Sequence, residues 1–232
     1  MAYESKLIGK VEGFGEIYRL AAPLPEQIED FQRAGCQAPY LPDVEETAQI
    51  RLAGVSQDYT RTSIVPVAVR GAKTILTKVP LLMNPIMARL AVIAHRKGAY
   101  LEIPGIYDVV KQIAEQESEK EPEDKTALEL LHEGNHYIAR DSDVARFLLR
   151  KQRKPYFKEF VPSGTISLEN LQTDSKQGVV NYLWVGSPRG RSYLYCGSRY
   201  LEDDGDAFGV RRVLSGEASA KNSSGNSLTD RV

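Results

Sequence analysis

At Thr165 the spacing of apolar residues changes, and the change limits what this chain can become. Upstream, the longer apolar segments repeat every three or four residues. Downstream, 165–171, 179–186, 192–201 and 208–214 alternate with a period of two. A three-to-four repeat lines one face of a helix, and a two-residue repeat lines one face of a strand. The chain therefore reads as α+β. Its expected organisation is an N-terminal mixed α/β part (1–103), then a central segment of about three helices leading into a C-terminal antiparallel β-meander (104–214), with a disordered tail (215–232).

The upstream elements follow from their punctuation. Residues 1–20 read as strands broken by Gly9, Gly13 and Gly15, and a short helix over 25–34 stops at Gly35. Segments 48–55, 60–70 and 73–79 are β-rich, with Pro66 expected to confine its run to a sheet edge or a bulge. Asn84 and Pro85 open a helix that sets Ile86, Leu90 and Ile93 on one face. After a short strand over 100–103, three further helices are expected. They run over about 106–117, from Pro122 through Leu128, Leu130 and Leu131 to a stop at Gly134-Asn135, and from Asp141 to about Gln152. The middle of the acidic stretch 115–125, between the first two, reads as a solvated helix end and linker.

Charge narrows function less than fold. Thirty Lys+Arg against 31 Asp+Glu give a net charge of -1, so the chain is neither a bulk polycation nor an acidic solvating chain. The N-terminus lacks a cationic head followed by an apolar run. The most apolar stretch, 79–94, is broken by Asn84, Pro85 and Arg89, so no signal peptide and no membrane span are expected. Two distant cysteines, Cys36 and Cys196, fit a reducing compartment, and a cytoplasmic location is expected. No phosphate-binding glycine loop, dinucleotide fingerprint or GxSxG elbow occurs, and no cofactor is expected.

Three constellations could carry chemistry. His132-Glu133-Gly134-Asn135-His136 matches the zinc-peptidase spacing HExxH, in which two histidines on one helical face hold metal and the glutamate activates water. Gly134-Asn135 is a poor pair for continuing a helix, and the flanks fit a helix end followed by an extended His136-Tyr137-Ile138-Ala139. A basic run, Arg146, Arg150, Lys151, Arg153, Lys154 and Lys158, sits beside aromatic residues in a pattern suited to phosphate contact and stacking. Third, a hairpin carries Arg189 and Arg191 at its tip. Its strands set Tyr182 with Trp184 and Tyr193 with Tyr195 on the faces opposite Leu183, Val185, Leu194 and Cys196. Three helices followed by a cationic hairpin have the order of a winged helix.

These features lead to the expectation of a nucleic-acid-binding or nucleoprotein-assembly protein without catalytic activity. It would bind DNA or RNA through Arg146, Arg150, Lys151, Arg153, Lys154, Lys158, Arg189, Arg191 and Tyr193. A zinc hydrolase using His132, His136 and Glu133 is one alternative. The other is a structural or assembly subunit of a virion or complex, with a protein partner or copies of itself.

Overall fold

Gly13, in a left-handed turn, reverses the chain between β1 (Lys6–Val11) and β2 (Gly15–Ala21), which pair antiparallel. The computed structural model of the protein describes residues 3–131, 134–186, 193–196, 201 and 205–212. Helix α1 (Leu24–Arg33) follows with Pro25 in its first turn, and α2 (Val44–Leu52) starts from a reciprocal cap. There the Glu46 amide donates to the Asp43 carboxylate and the Asp43 amide donates to the Glu46 carboxylate. Short strands β3 (Thr60–Arg61), β4 (Val65–Ala68) and β5 (Ile75–Thr77) lead to α3 (Pro85–Arg96). Then come β6 (Leu101–Glu102), α4 (Ile106–Gln116), β7 (Ala127–Glu129) and β8 (His136–Ala139). Helices α5 (Asp143–Leu149) and α6 (Arg153–Phe160) precede β9 (Thr165–Glu169), β10 (Val179–Val180), β11 (Trp184–Val185), β12 (Tyr193–Tyr195) and β13 (Asp206–Arg211).

Two sheets result, and the α+β class is the one read from the sequence. The larger sheet runs β1-β2-β13-β3-β11-β12-β9-β8 and the smaller β6-β10-β4-β5-β7, so each takes strands from both sides of residue 103. One apolar core fills the space between α2, α5 and α6 and the inner faces of β8, β9, β11 and β12. A second lies between the smaller sheet and α1, α3 and α4.

Several local expectations are corrected. The helix expected from Pro122 to Leu131 is a single 3-10 turn, Pro122–Asp124, followed by strand β7. Ala127, Leu128 and Leu130 are buried against the smaller sheet, with Leu128 opposite Leu76, and cross-strand packing decides their conformation. The three-helix order of a winged helix is therefore not formed. The C-terminal strands exist but do not form a continuous meander: β10 joins the smaller sheet, β12 pairs parallel with β9, and β13 inserts between β2 and β3. Pro66 lies in a central strand. Its carbonyl accepts from the Asn181 amide on the β10 side, and its missing N–H leaves that pair with one bond instead of two, just where the two-residue strand β10 ends. Helix α3 buries Ala88, Ala91 and Val92, and the predicted stripe of Ile86, Leu90 and Ile93 faces outward. The expected disordered tail, 215–232, lies outside the described residues.

Candidate functional site

Strands β8, β9 and β12 alternate cleanly between core and solvent. Ile138, Ile166, Leu168 and Leu194 point into the core, while Tyr137, Ser167, Glu169 and Tyr193 lie on the opposite face. Register then places residues distant in sequence side by side. Tyr137 and Tyr193 are both opposite Ser167, from the two flanking strands. On the far side of β12, the Gly186 amide donates to the Tyr193 carbonyl at 2.9 Å. The β3–β11 register, Val185 opposite Thr60, continues to bring Gly186 opposite Tyr59. One transverse row therefore reads Tyr59, Gly186, Tyr193, Ser167, Tyr137.

The small residues in this row are what let the rings act. The Tyr193 ring leans over Gly186, where an added Cβ would lie 2.5 Å from its Cε1 atom. The Tyr59 and Tyr193 ring centroids meet at 6.1 Å, and Tyr59 packs on Trp184 at 4.7 Å. Below Trp184 lies the fully buried Arg61 guanidinium, 4.4 Å from the indole centroid. Arg61 is fixed by donating to the Ala22 carbonyl and to Gln27 Oε1 at 2.8 and 2.7 Å. The outer end of a buried stack thus sets the Tyr193 ring, which is 39% exposed, whereas Tyr137 on the edge strand is 79% exposed. Between them, Phe160, Ser163, Thr165, Ser167 and Glu169 help line an open groove of about 580 Å³.

The aromatic faces expected for the hairpin strands are thus partly realised. Leu183, Val185, Leu194 and Cys196 enter the core, and burial pushes the Cys196 thiol far above its usual range. Tyr182 and Trp184 are buried as well, so among the described residues the aromatic side opens to solvent at Tyr193 and in part at Tyr195. Register, which no local pattern encodes, is what makes Tyr59, Tyr137, Ser167 and Glu169 neighbours of Tyr193. The alternation of 136–139 and 165–169 was the available signal.

The basic run is brought together, but with its own counter-charges. Arg146 pairs with Glu121 and with Glu123, the latter at 2.9 Å, and its hydrogen bond holds the Glu123 carboxyl below the ordinary range. Arg150 pairs with Asp43 and Glu45, both at 3.2 Å, and Arg153 stands 3.9 Å from Asp141. Arg150, Lys151, Arg153 and Lys154 share a cleft with Glu45, Glu123 and Asp124, and Lys158 is exposed on α6. The middle of the acidic stretch, 118–121, is exposed after the end of α4, but its flanks also make specific contacts. Glu121 and Glu123 neutralise Arg146, and Glu117 accepts from the Thr126 amide at 2.6 Å and the Ala127 amide at 3.3 Å. Arg189 and Arg191 lie outside the described residues.

The HExxH spacing does not sit on a helix. His136 is a buried strand residue opposite Leu168, and Gly134 before it has φ +87°. His132 and Glu133 lie outside the described residues. Among the described residues there is no group of three or more His, Cys, Asp or Glu that could hold a metal ion. None of their helices is long and apolar enough to cross a membrane.

No family model matches the chain, and no curated protein sequence does either. A solved structure described as showing the accommodation of massive sequence variation in Nanoarchaeota by the C-type lectin fold is similar. It aligns with a TM-score of 0.58 and 11% identity over 87% of this chain and 100% of that chain. That likeness shows the fold, which is of the C-type lectin kind and α+β. It overturns the nucleic-acid-binding and nucleoprotein reading, because the chain resembles a lectin-type scaffold and Arg146 and Arg150 of the basic run are paired internally. The zinc-hydrolase and virion- or complex-subunit alternatives gain no support from it either.

Proposed function

We propose that this chain is a recognition protein that binds a protein partner through the outer face of β8, β9 and β12, with Tyr59 extending that face. The observation carrying the reading is the transverse row Tyr59, Gly186, Tyr193, Ser167, Tyr137. Tyrosine offers a large, rigid, amphipathic contact at low entropic cost, and serine adds adaptable hydrogen bonding, the combination that antibody paratopes use. The alternation of β8, β9 and β12 also separates recognition from folding, since outward side chains can change without altering the inward set. For the Nanoarchaeota structure, this fold is described as accommodating massive sequence variation. We read the same division of labour here: a constant core beneath a replaceable face.

A display library randomised at Tyr137, Thr165, Ser167, Glu169 and Tyr193, selected against unrelated immobilised proteins, tests the proposal. Folded binders should emerge for several targets, each losing its binding when the parental residues are restored. Loss of folded display across most of the library, or an absence of binders, refutes it.

A further inference from the structure

Two of the rings in the row bound a slot with a serine floor. Strands lie about 4.8 Å apart, so the Tyr193 and Tyr137 backbones, one on each side of Ser167, stand roughly 10 Å from each other. A flat group stacked between two rings needs about 3.5–4 Å on each side. Tyr193 is held back over Gly186, and the exposed Tyr137 is free to rotate inward and take up the remaining slack. A planar group is sandwiched between the two rings only when the Tyr137 ring turns inward over Ser167.

Its charge is equally specific. Among the described residues lining the groove, Glu169 is the one charged side chain, exposed and without an ion-pair partner among the described residues. It lies two residues along β9 from Ser167 on the same face, about 7 Å further along the strand. Ser167 adds a hydroxyl acceptor on the same face, and Thr165 another two residues further from Glu169. Arginine meets all three requirements. Its guanidinium is planar, stacks on aromatic faces, and donates a two-pronged hydrogen bond to a carboxylate. Lysine has no plane to stack, and a neutral ring leaves Glu169 without a counter-charge.

Resting on the recognition reading above, we infer that the slot over Ser167 takes an arginine side chain of the protein partner, sandwiched by Tyr193 and Tyr137 and paired with Glu169. The probes are a blocked Gly-Arg-Gly peptide, its citrulline counterpart, which keeps the plane and loses the charge, and a methyl glucoside. Each is titrated into the full chain and followed by amide shifts in a two-dimensional NMR spectrum. The arginine peptide should move the Ser167 and Tyr193 amides. The citrulline peptide should bind about tenfold more weakly, and Glu169→Gln should weaken the arginine peptide by a similar factor with the spectrum otherwise unchanged. Tyr137→Leu should weaken both peptides together.

Equal binding of the arginine and citrulline peptides, indifference to Glu169→Gln, or no shift at all overturns the inference. If the glucoside alone moves these amides, the arginine assignment falls while the face remains a binding face. The recognition reading falls separately, on failure of the display library.

Discussion

Substituting Gly186 by alanine should give a stability change whose sign depends on Tyr193. The glycine is not in a left-handed conformation, so its backbone accepts a side chain. Relief of glycine's entropic cost should then favour the folded state by about 0.5–1 kcal/mol. In the native chain the new methyl meets the Tyr193 ring instead, at 2.5, 2.7 and 2.8 Å from Cε1, Cδ1 and Cζ. The ring must swing away. Its contact with Tyr59, 6.1 Å between centroids, is of a kind worth about 0.5–1.5 kcal/mol, and the crowding adds about 1–3 kcal/mol. Gly186→Ala should therefore destabilise the native chain by about 0.5–4 kcal/mol. In a Tyr193→Ala background, where no ring obstructs the methyl, it should be neutral or stabilising. Urea unfolding of the four proteins, followed by the fluorescence of Trp184, the chain's single tryptophan, completes the cycle. Equal ΔΔG in both backgrounds would refute the idea that Gly186 exists to seat the Tyr193 ring.

Other predictions test the frame around the site. Lys78 is half-buried, donates to the Phe147 carbonyl at 2.7 Å and lies over the Phe147 ring; desolvation first, then the neighbouring Arg150, pull its pKa down to about 8. Below pH 8 both the folded and unfolded chains hold this proton, so the folded state carries the full penalty. Between about pH 8 and the ordinary lysine value near 10.5 the unfolded chain holds more protons, so stability should rise with pH. In Lys78→Met that rise should vanish from urea midpoints measured across the window, and its persistence contradicts the assignment. Replacing Arg61 by methionine strands the Ala22 carbonyl and Gln27 and removes the support of Trp184, and should cost about 3 kcal/mol in chemical denaturation. The dialysed protein should carry no stoichiometric zinc by elemental analysis, since His136 is a strand residue in the core.

The sequence showed some of this architecture plainly and hid the rest for physical reasons. The extended run from His136 was legible because Gly134, at φ +87°, interrupts regular structure locally, although the segment before it is a strand and not the expected helix. The stripe Ile86, Leu90, Ile93 was equally periodic, yet the helix packs through Ala88, Ala91 and Val92. Periodicity defines a face without saying which face another element approaches, and small residues allow the closer approach. Segment 127–131 fits a helix through the three-residue spacing of Leu128 and Leu131 and a strand through the two-residue spacing of Leu128 and Leu130, and only the pairing with β5 decides between them. The basic run was visible, but its partners Asp43, Glu45, Glu121 and Glu123 come from two other parts of the chain. The near-zero net charge is, at this cluster, the sum of pairs formed across the fold.

Whether a constant core underlies a replaceable face is tested most directly by a substitution scan along β8, β9 and β12 read for stability. The outward positions Tyr137, Ser167, Glu169 and Tyr193 should tolerate alanine and most polar residues at a cost within about 1 kcal/mol. Alanine at the inward positions Ile138, Ile166, Leu168 and Leu194 should cost about 2–5 kcal/mol, because each leaves a cavity in the main core. A saw-tooth of period two along all three strands is the predicted result. Outward substitutions as damaging as inward ones would contradict the account.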